Sequence, residues 1–239
     1  MKRIFAPYCL YLAVLLVVTA VFLALYPKLE LHLMMNSVHT HSLDVHLAFI
    51  SKFAEWPFYV VALLPLLFWR AGWTYLYATT EAISGLLIFI VKHIFDMPRP
   101  ILAFSEHPEA LHLVPGVHLH SHYSFPSGHT ASFFVFYTIG ALLLTTYYYR
   151  KNKRGEAVGQ RWLIFLLIIV LACVGGYARI YLSQHFLMDV FAGCIIGTVI
   201  SILCFYWFYT KGWMMKQWFN RSLFGKNAYF RSNKSKSEL

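Results

Sequence analysis

Residues 8–26 read YCLYLAVLLVVTAVFLALY, a run without a single charged side chain. A helix of about 20 apolar residues crosses the roughly 30 Å core of a bilayer, so this run is long enough to be a transmembrane helix. Further apolar segments follow at 56–69, 73–95, 130–149, 162–178 and 186–209. The sequence RAG at 70–72 separates the short second segment from the third. These segments predict an all-α protein, a bundle of six transmembrane helices.

The composition also favours lipid as the solvent of this chain. Hydrophobic residues make up 59% of the 239 positions and charged residues only 13%, whereas about a quarter of the residues of a soluble domain are charged. The net charge of +10 could indicate a nucleic-acid partner, but the basic residues lie between and after the apolar segments. The predicted partner is therefore the surface of a membrane bilayer, and no nucleic acid is expected.

Basic residues also predict the orientation of the bundle. They gather in residues 1–3, at Arg70, in residues 150–161 and in the tail after Lys211. With six spans, all four basic segments fall on one side of the membrane, which the positive-inside rule identifies as cytosolic. With five spans they would fall on both sides. Both termini are therefore predicted to be cytosolic. The short loops between the segments favour a bacterial protein, of the cytoplasmic (inner) membrane.

The chain is predicted to have one integral membrane domain, residues 1–210, followed by a basic cytosolic tail, residues 211–239. The first apolar run could instead be a signal peptide. It is long for one and lacks a convincing small-residue cleavage site, so an uncleaved first span is the preferred interpretation. The pattern of residues leaves the oligomeric state unknown.

Three short motifs lie at the edges of apolar segments, and in this topology all three lie on the non-cytosolic side. They are KHIFDMPRP at 92–100, PSGH at 126–129, and the set of Arg179, His185 and Asp189. A phosphate monoester carries close to two negative charges, and its reaction depends largely on positioning and electrostatic stabilisation. The motifs supply three cations, Lys92, Arg99 and Arg179, and an arginine can bind two phosphate oxygens at once.

The second motif comes just before a long apolar helix. Ser127 can cap that helix, and Gly128 allows a ligand to approach the backbone closely. The free N–H groups and the positive end of the helix dipole attract anions. His129, in the first turn, could donate a proton to a leaving oxygen. Taken alone, the motif could also be no more than a helix cap.

His185 and Asp189 are four residues apart, which predicts that they are neighbours on one helix face. An aspartate that accepts a hydrogen bond from one imidazole nitrogen leaves the other nitrogen free to attack phosphorus. The pair could merely stabilise the start of a span, but ionisable groups at the border of a bilayer are costly without a role. The spacing therefore favours a nucleophile and its orienting carboxylate.

The order and spacing of the motifs resemble the type 2 phosphatidic-acid phosphatase family, whose relatives include vanadium haloperoxidases and bacterial acid phosphatases. The resemblance covers residues 92–189. It implies that His185 becomes transiently phosphorylated, that Asp189 supports it, and that His129 protonates the leaving group. The phosphate-binding positions it implies are Lys92, Arg99, Ser127, Gly128 and Arg179. The family usually has serine before the third-motif arginine, where this chain has Ala178.

This scheme requires no metal ion or other cofactor, because side-chain cations and backbone amides would neutralise the phosphate. The loop before the second motif contains His107, His112, His118, His120 and His122. These histidines could bind zinc, but a flexible, pH-sensitive loop is the preferred interpretation.

Glu81 lies about 12 Å into the third span. A hydrogen-bonded contact with a threonine, tyrosine or serine of another helix is favoured there over a functional role.

The predicted activity is hydrolysis of a membrane lipid phosphate or diphosphate, with the active site at the non-cytosolic face. Candidate substrates are polyprenyl diphosphate, lipid A phosphate, phosphatidylglycerol phosphate and phosphatidic acid. The first two are preferred because the predicted site faces outward. A lipid phosphotransferase that uses the same site is one alternative, and a non-catalytic protein that binds or transports lipid phosphates is another.

Overall fold

The structure, a computed structural model, describes residues 1–153 and 161–222. Within these residues the regular elements are helices, which confirms the predicted all-α class. The α-helices are α1 (Lys2–Leu25), α2 (Lys28–Asn36), α3 (His41–Lys52), α4 (Trp56–Phe95), α5 (Pro100–Ala103), α6 (Gly128–Lys153), α7 (Arg161–Tyr181), α8 (Leu187–Thr210) and α9 (Gln217–Asn220), with 3-10 turns at Pro108–Ala110 and Trp213–Met215. Most of the predicted cytosolic tail, after residue 222, lies outside the described residues.

Five helical stretches in the described part of the chain are long and apolar enough to cross a membrane. They are Lys2–Leu25, Tyr59–Ala103, Gly128–Lys151, Arg161–Tyr181 and Leu187–Thr210. Large apolar side chains on their outer faces are exposed, for example Val17 and Leu25 of α1 at 63% and 69%. Apolar surface of this extent is unfavourable in water and favourable in lipid. The chain is therefore an integral membrane protein.

The chain reverses direction within α4, at Arg70. The φ and ψ angles of Arg70 are −155° and 107°, outside the helical region. Glu55, just before α4, and Lys92, near its end, line the same cavity, although a straight helix would hold them about 55 Å apart. Residues 56–69 and 71–95 therefore run antiparallel, as the predicted break requires. The count of six membrane crossings stays a prediction, because the first of these two halves is only about 21 Å long.

The basic segments described by the structure gather at one end of the bundle. The N–H of Ala71 donates to the carbonyl of Arg221 at 2.8 Å, and Met1 packs against the same core cluster as Trp213. The three motifs lie at the opposite end, since Lys92 lies at the far end of the helix that begins at Ala71. This distribution is the one that the predicted orientation requires, but which end faces the cytosol stays a prediction.

Helix α8 packs directly on α6 through Gly193 and Gly197. A β-carbon on Gly193 would lie 2.5 Å from the carbonyl oxygen of Ser127, and one on Gly197 would clash with the backbone of Ala131. Glycines four residues apart allow membrane helices to approach closely. The contact brings the start of α8 to the start of α6, where the N–H of Ser127 donates to the carbonyl of Asp189 at 2.9 Å. The second and third motifs meet through this contact.

Substituting Gly193→Ala is expected to push α8 away from α6, because the carbonyl of Ser127 leaves no room for a methyl group. Overpacking of this kind costs about 1–3 kcal/mol, so the thermal midpoint in detergent should fall. Gly85→Ala is the matched control, since a β-carbon there meets nothing within 4 Å. Equal midpoints for the two variants would rule out the close contact.

Residues 27–55, which the apolar pattern does not predict to be helical, form α2 and α3 beside the motifs. Asn36 donates to the carbonyl of Tyr181 at 2.8 Å and accepts from the N–H of His112 at 2.7 Å. Asp44 accepts from the hydroxyl of Tyr181 at 2.5 Å and lies 2.7 Å from Nε2 of His112. These bonds hold α2 and α3 against the end of α7.

Candidate active site

A cavity of about 620 Å³ opens at the end of the bundle where the motifs lie. Six of the eight predicted site residues line it: Lys92, Arg99, Gly128, His129, Arg179 and His185. The other two, Ser127 and Asp189, lie one layer behind the wall, 0% and 1% exposed. The fold thus brings together residues from positions 92 to 189 of the chain.

The first motif supplies two cations that are held by neutral groups. Arg99 precedes α5 in an extended conformation, to which the proline that follows it restricts the backbone. Its guanidinium donates to the carbonyls of His122 at 2.9 Å and Gln184 at 3.2 Å. Nζ of Lys92 donates to the carbonyl of Tyr123 at 2.5 Å. Carbonyl oxygens orient both cations without neutralising their charge.

Arg179, the third cation, lies in the last turn of α7 and is 5% exposed. One of its terminal nitrogens donates to the hydroxyl of Ser51 in α3. Its buried Nε has no hydrogen-bond partner among the described residues. Arg179 lines the cavity, so its guanidinium can offer N–H donors to the oxygens of an anionic ligand there.

The second motif begins α6, and Ser127 caps that helix as predicted. The N–H of Thr130 donates to Oγ of Ser127 at 3.3 Å, and the hydroxyl of Thr130 donates to the same atom at 2.9 Å. Gly128 and His129 are the residues of this turn that reach the cavity. The positive end of the α6 dipole therefore points at the cavity. Direct contact between Ser127 and a phosphate stays a prediction, because its hydroxyl is buried in the cap.

His185 is not on the same helix as Asp189, so the predicted helical pair is wrong in this detail. Helix α8 begins at Leu187. His185 belongs to the turn that ends α7, where its N–H donates to the carbonyl of Arg179 at 3.1 Å. In the same turn Ser183 has a φ of 51°, in the left-handed region. The turn moves the imidazole off the helix axis and into the cavity wall.

Asp189 nevertheless lies beside His185, because its side chain folds back over the start of α8. Its Oδ2 accepts from the N–H of Phe186 at 2.9 Å and from the hydroxyl of Ser124 at 2.5 Å. The same oxygen lies 3.5 Å from Nδ1 of His185, longer than an ordinary hydrogen bond. With Nδ1 facing the carboxylate, Nε2 is the ring nitrogen available to a ligand in the cavity.

Sequence reasoning missed several residues of the site. Ser124, which orients the carboxylate of Asp189, lies in an irregular segment where no periodicity marks it. Other side chains that line the cavity are Ser51, Lys52, Glu55, His118, His120 and Gln184. The first three lie at or just after the end of α3. The sequence does mark the start of this helix, because Thr40 is a typical N-terminal cap: its hydroxyl accepts from the N–H of Leu43 at 3.2 Å.

Within residues 1–153 and 161–222, no group of three or more histidine, cysteine or acidic side chains is arranged to bind a metal ion.

Burial lowers the pKa of His185 to about 3, and the charges of Arg99 and Arg179 add to the lowering, while Asp189 opposes it only in part. The imidazole is therefore neutral at pH 7 and keeps the lone pair that a nucleophile needs.

The same pKa predicts a loss of stability in acid. An unfolded histidine binds a proton near pH 6.5, whereas folded His185 resists protonation down to about pH 3. Between these values the unfolded state binds more protons, so stability falls as the pH falls, by up to about 1.4 kcal/mol per pH unit. The thermal midpoint of the wild type should therefore fall more steeply from pH 6.5 to 4 than that of His185→Gln. Parallel curves would mean that His185 titrates normally in the folded protein.

Curated proteins with similar sequences carry names of lipid phosphatases. "Lipid phosphate phosphatase 1" of Arabidopsis thaliana is 30% identical over 161 residues, which are 63% of this chain and 47% of the relative. "Undecaprenyl-diphosphatase BcrC" of Bacillus subtilis (strain 168) is 28% identical over 175 residues, 71% of this chain and 77% of the relative. The chain thus spans about half the length of the Arabidopsis relative.

Two crystal structures share the fold. The phosphatidylglycerolphosphate phosphatase from Bacillus subtilis, described as a transmembrane PAP2 type, superposes with a TM-score of 0.61 at 21% identity, covering 88% of this chain and 98% of that one. LpxE of Aquifex aeolicus superposes with a TM-score of 0.59 at 24% identity, covering 75% and 94%. The profile of the PAP2 superfamily matches residues 71–213, which is more than half of the chain and includes all three motifs. The chain belongs to the PAP2 superfamily.

Proposed function

We propose that this protein is a membrane lipid phosphate or diphosphate phosphohydrolase that acts through a phosphohistidine at His185 and needs no metal ion. The observation that supports this most strongly is the composition of one cavity at one end of a membrane bundle. Three cations held by neutral groups, the start of α6 and a neutral imidazole backed by Asp189 all meet there.

In the proposed mechanism, Lys92, Arg99 and Arg179 bind the phosphoryl oxygens together with the backbone at Gly128. Nε2 of His185 attacks phosphorus, and the bond from phosphorus to the leaving oxygen breaks as a phosphohistidine forms. His129 donates a proton to the leaving oxygen. Water then attacks the phosphohistidine and releases inorganic phosphate, with His129 now accepting a proton from that water.

His129 and Asp189 complete the proposed catalytic set, and they lie on different sides of the wall of the cavity. His129 lines the cavity and can reach a leaving group, whereas Asp189 lies behind His185 and acts on its orientation and charge. Ser127 is assigned to phosphate binding with Gly128, through the helix start that it caps.

An apolar pocket beside the cavity supports an amphiphilic substrate. The pocket has a volume of about 220 Å³, and on α6 it is lined by Ser132 and Phe133, one turn beyond His129. Its other walls include apolar residues at the end of α3 and on α7, among them Ile50, Phe53 and Leu171. A headgroup in the cavity could therefore continue into a chain that lies in this pocket and in the surrounding lipid.

The substrate proposed for this chain is one of four lipids: polyprenyl diphosphate, lipid A phosphate, phosphatidylglycerol phosphate or phosphatidic acid. The names of the Bacillus relatives support a prenyl diphosphate and phosphatidylglycerol phosphate. Residues 1–210 are proposed to form the phosphatase domain and residues 211–239 a cytosolic tail. The cavity would then face the outside of a bacterial inner membrane, with both termini cytosolic, because the basic segments lie at the end opposite to the cavity.

The proposal is tested with protein purified in detergent and assayed in EDTA against the four lipids. Release of inorganic phosphate from at least one of them is expected. If labelled phosphate moves to a second lipid and not to water, the protein is a phosphotransferase. Folded protein that binds the lipids but releases no phosphate would be a binding or transport protein, and strict dependence on added Mg²⁺ would exclude the metal-free mechanism.

A further inference from the structure

The cavity contains more polar side chains than the three motifs account for. Ser51, Lys52 and Glu55 line it at and just after the end of α3, and His118, His120 and Gln184 line it from other segments of the chain. None of these residues belongs to a motif. Ser51 and the carbonyl of Gln184 bond to Arg179 and Arg99, which leaves Lys52, His118 and His120 without an assigned role.

The end of helix α3 separates the cavity from the apolar pocket. Ser51 and Lys52 line the cavity, whereas Ile50 and Phe53, their immediate neighbours in the chain, line the pocket. Lys52 therefore stands at the boundary between the two. A lipid whose reacting phosphorus lies at His185 and whose chain passes the end of α3 into the pocket would come within reach of this lysine.

Two histidines also line the cavity, His118 and His120. Nε2 of Gln184 donates to the carbonyl of His118 at 3.1 Å, which fixes that part of the loop, and the rings of His118 and His120 have centroids 4.5 Å apart. Partial burial lowers the pKa of His120, and repulsion by Arg99 and Arg179 contributes to the lowering. His120 therefore feels the same positive field that a bound phosphate would neutralise.

The cavity has one cation more than the three that the phosphoryl site uses. Its walls carry four cations that are charged near neutral pH, and a single carboxylate: Lys52, Lys92, Arg99, Arg179 and Glu55. Asp189, one layer behind the wall, is a second carboxylate, so the excess is two positive charges before a substrate binds. Lys52 is the cation that the phosphoryl site does not use, and the inner phosphate of a lipid diphosphate is a second anionic group that it can bind. Lys52 forms no ion pair with any residue in the described ranges; it is exposed and lines the cavity.

We propose that Lys52, His118 and His120 form a second anion subsite, which binds the inner, lipid-bearing phosphate of a lipid diphosphate. The inference rests on the proposed function and narrows the substrate class. His185 attacks the terminal phosphorus, and the bond from that phosphorus to the bridging oxygen breaks. The electron pair stays on the bridging oxygen of the lipid monophosphate, where Lys52 and the imidazoles stabilise it and His129 supplies the proton. Water then releases the terminal phosphate from His185.

The subsite is tested first by binding, which needs no turnover. Inorganic pyrophosphate and inorganic phosphate are titrated separately against the protein in detergent, and each Kd is taken from the shift in thermal midpoint. The wild type should bind pyrophosphate more tightly, and Lys52→Ala should lose about tenfold of that preference, the scale of one charge-assisted hydrogen bond. His122→Ala is the control for His120→Ala, since its side chain is 54% exposed and does not line the cavity. Equal affinities in the wild type, or an unchanged preference in both Lys52→Ala and His120→Ala, would overturn the subsite.

A second arm links the subsite to turnover. Values of kcat/KM are measured for a prenyl diphosphate and for the monophosphate of the same chain length. The ratio of the two should fall about tenfold in Lys52→Ala and stay at the wild-type value in His122→Ala. If the wild type hydrolyses neither lipid although the binding preference is present, the proposed function fails while the subsite stands. Hydrolysis of both lipids with an unchanged ratio in Lys52→Ala overturns the role of the subsite in substrate choice.

Discussion

Replacing His185 with alanine is expected to lower phosphate release from every lipid substrate by on the order of 10⁴-fold, the scale seen when a catalytic nucleophile is removed. The imidazole of His185 is neutral and only 2% exposed. Its Nδ1 lies beside the carboxylate of Asp189, at 3.5 Å. Alanine removes the atom that is proposed to bond to phosphorus but leaves the cations in place. Substrate should therefore still bind, and the loss should appear in kcat.

The control for this variant is His107→Ala. That imidazole is 76% exposed, lies in the loop before the second motif and contacts the exposed Glu109 at 3.4 Å. Its removal should leave kcat within about twofold of the wild type, because it lies outside the cavity. If His185→Ala retained phosphate release close to that of His107→Ala, the proposed nucleophile would be wrong.

Asp189→Asn is the second substitution with a large expected effect, a fall in kcat of about 10²–10⁴-fold. The asparagine oxygen can still accept from the N–H of Phe186 and the hydroxyl of Ser124, so the start of α8 should keep its shape. The negative charge beside Nδ1 of His185 is lost, however. The imidazole then lacks the group that orients it and stabilises the positive charge it gains on attacking phosphorus.

Asp96→Asn is the matched control for this charge removal. Asp96 also belongs to a motif, but its carboxylate is 51% exposed and lies 3.4 Å from the ring of His122. Its φ of 35° is one that asparagine tolerates well. A comparable loss of activity in both variants would indicate a general effect of charge at this end of the bundle and not a specific role for Asp189.

Features set by local sequence were predictable. The spans follow from apolar length, and the reversal at Arg70 follows from a polar break in an apolar run. The interpretation of Glu81 is also confirmed, since the hydroxyl of Ser132 on α6 donates to its carboxylate. An uncompensated carboxylate is so costly in a membrane that its position in an apolar span is enough to predict a polar partner.

Features set by tertiary contacts were not predictable. Helices α2 and α3 depend on bonds such as that of Asn36 to Tyr181, which join residues 145 positions apart. The position of His185 was missed for a similar reason, because spacing alone cannot distinguish a helix from a turn that precedes one. Ser124 gave no signal either, since its role exists only when Asp189 folds back toward it.

The most direct measurement is to trap the phosphorylated protein. Protein in detergent is mixed with a lipid substrate labelled at its terminal phosphate, quenched within one turnover, digested and mapped by mass spectrometry. The label should lie on His185 and be stable in base and labile in acid, as a phosphoramidate is, and it should be absent from His185→Ala. Label on a different residue, or rapid phosphate release without any labelled protein, would refute the phosphohistidine mechanism.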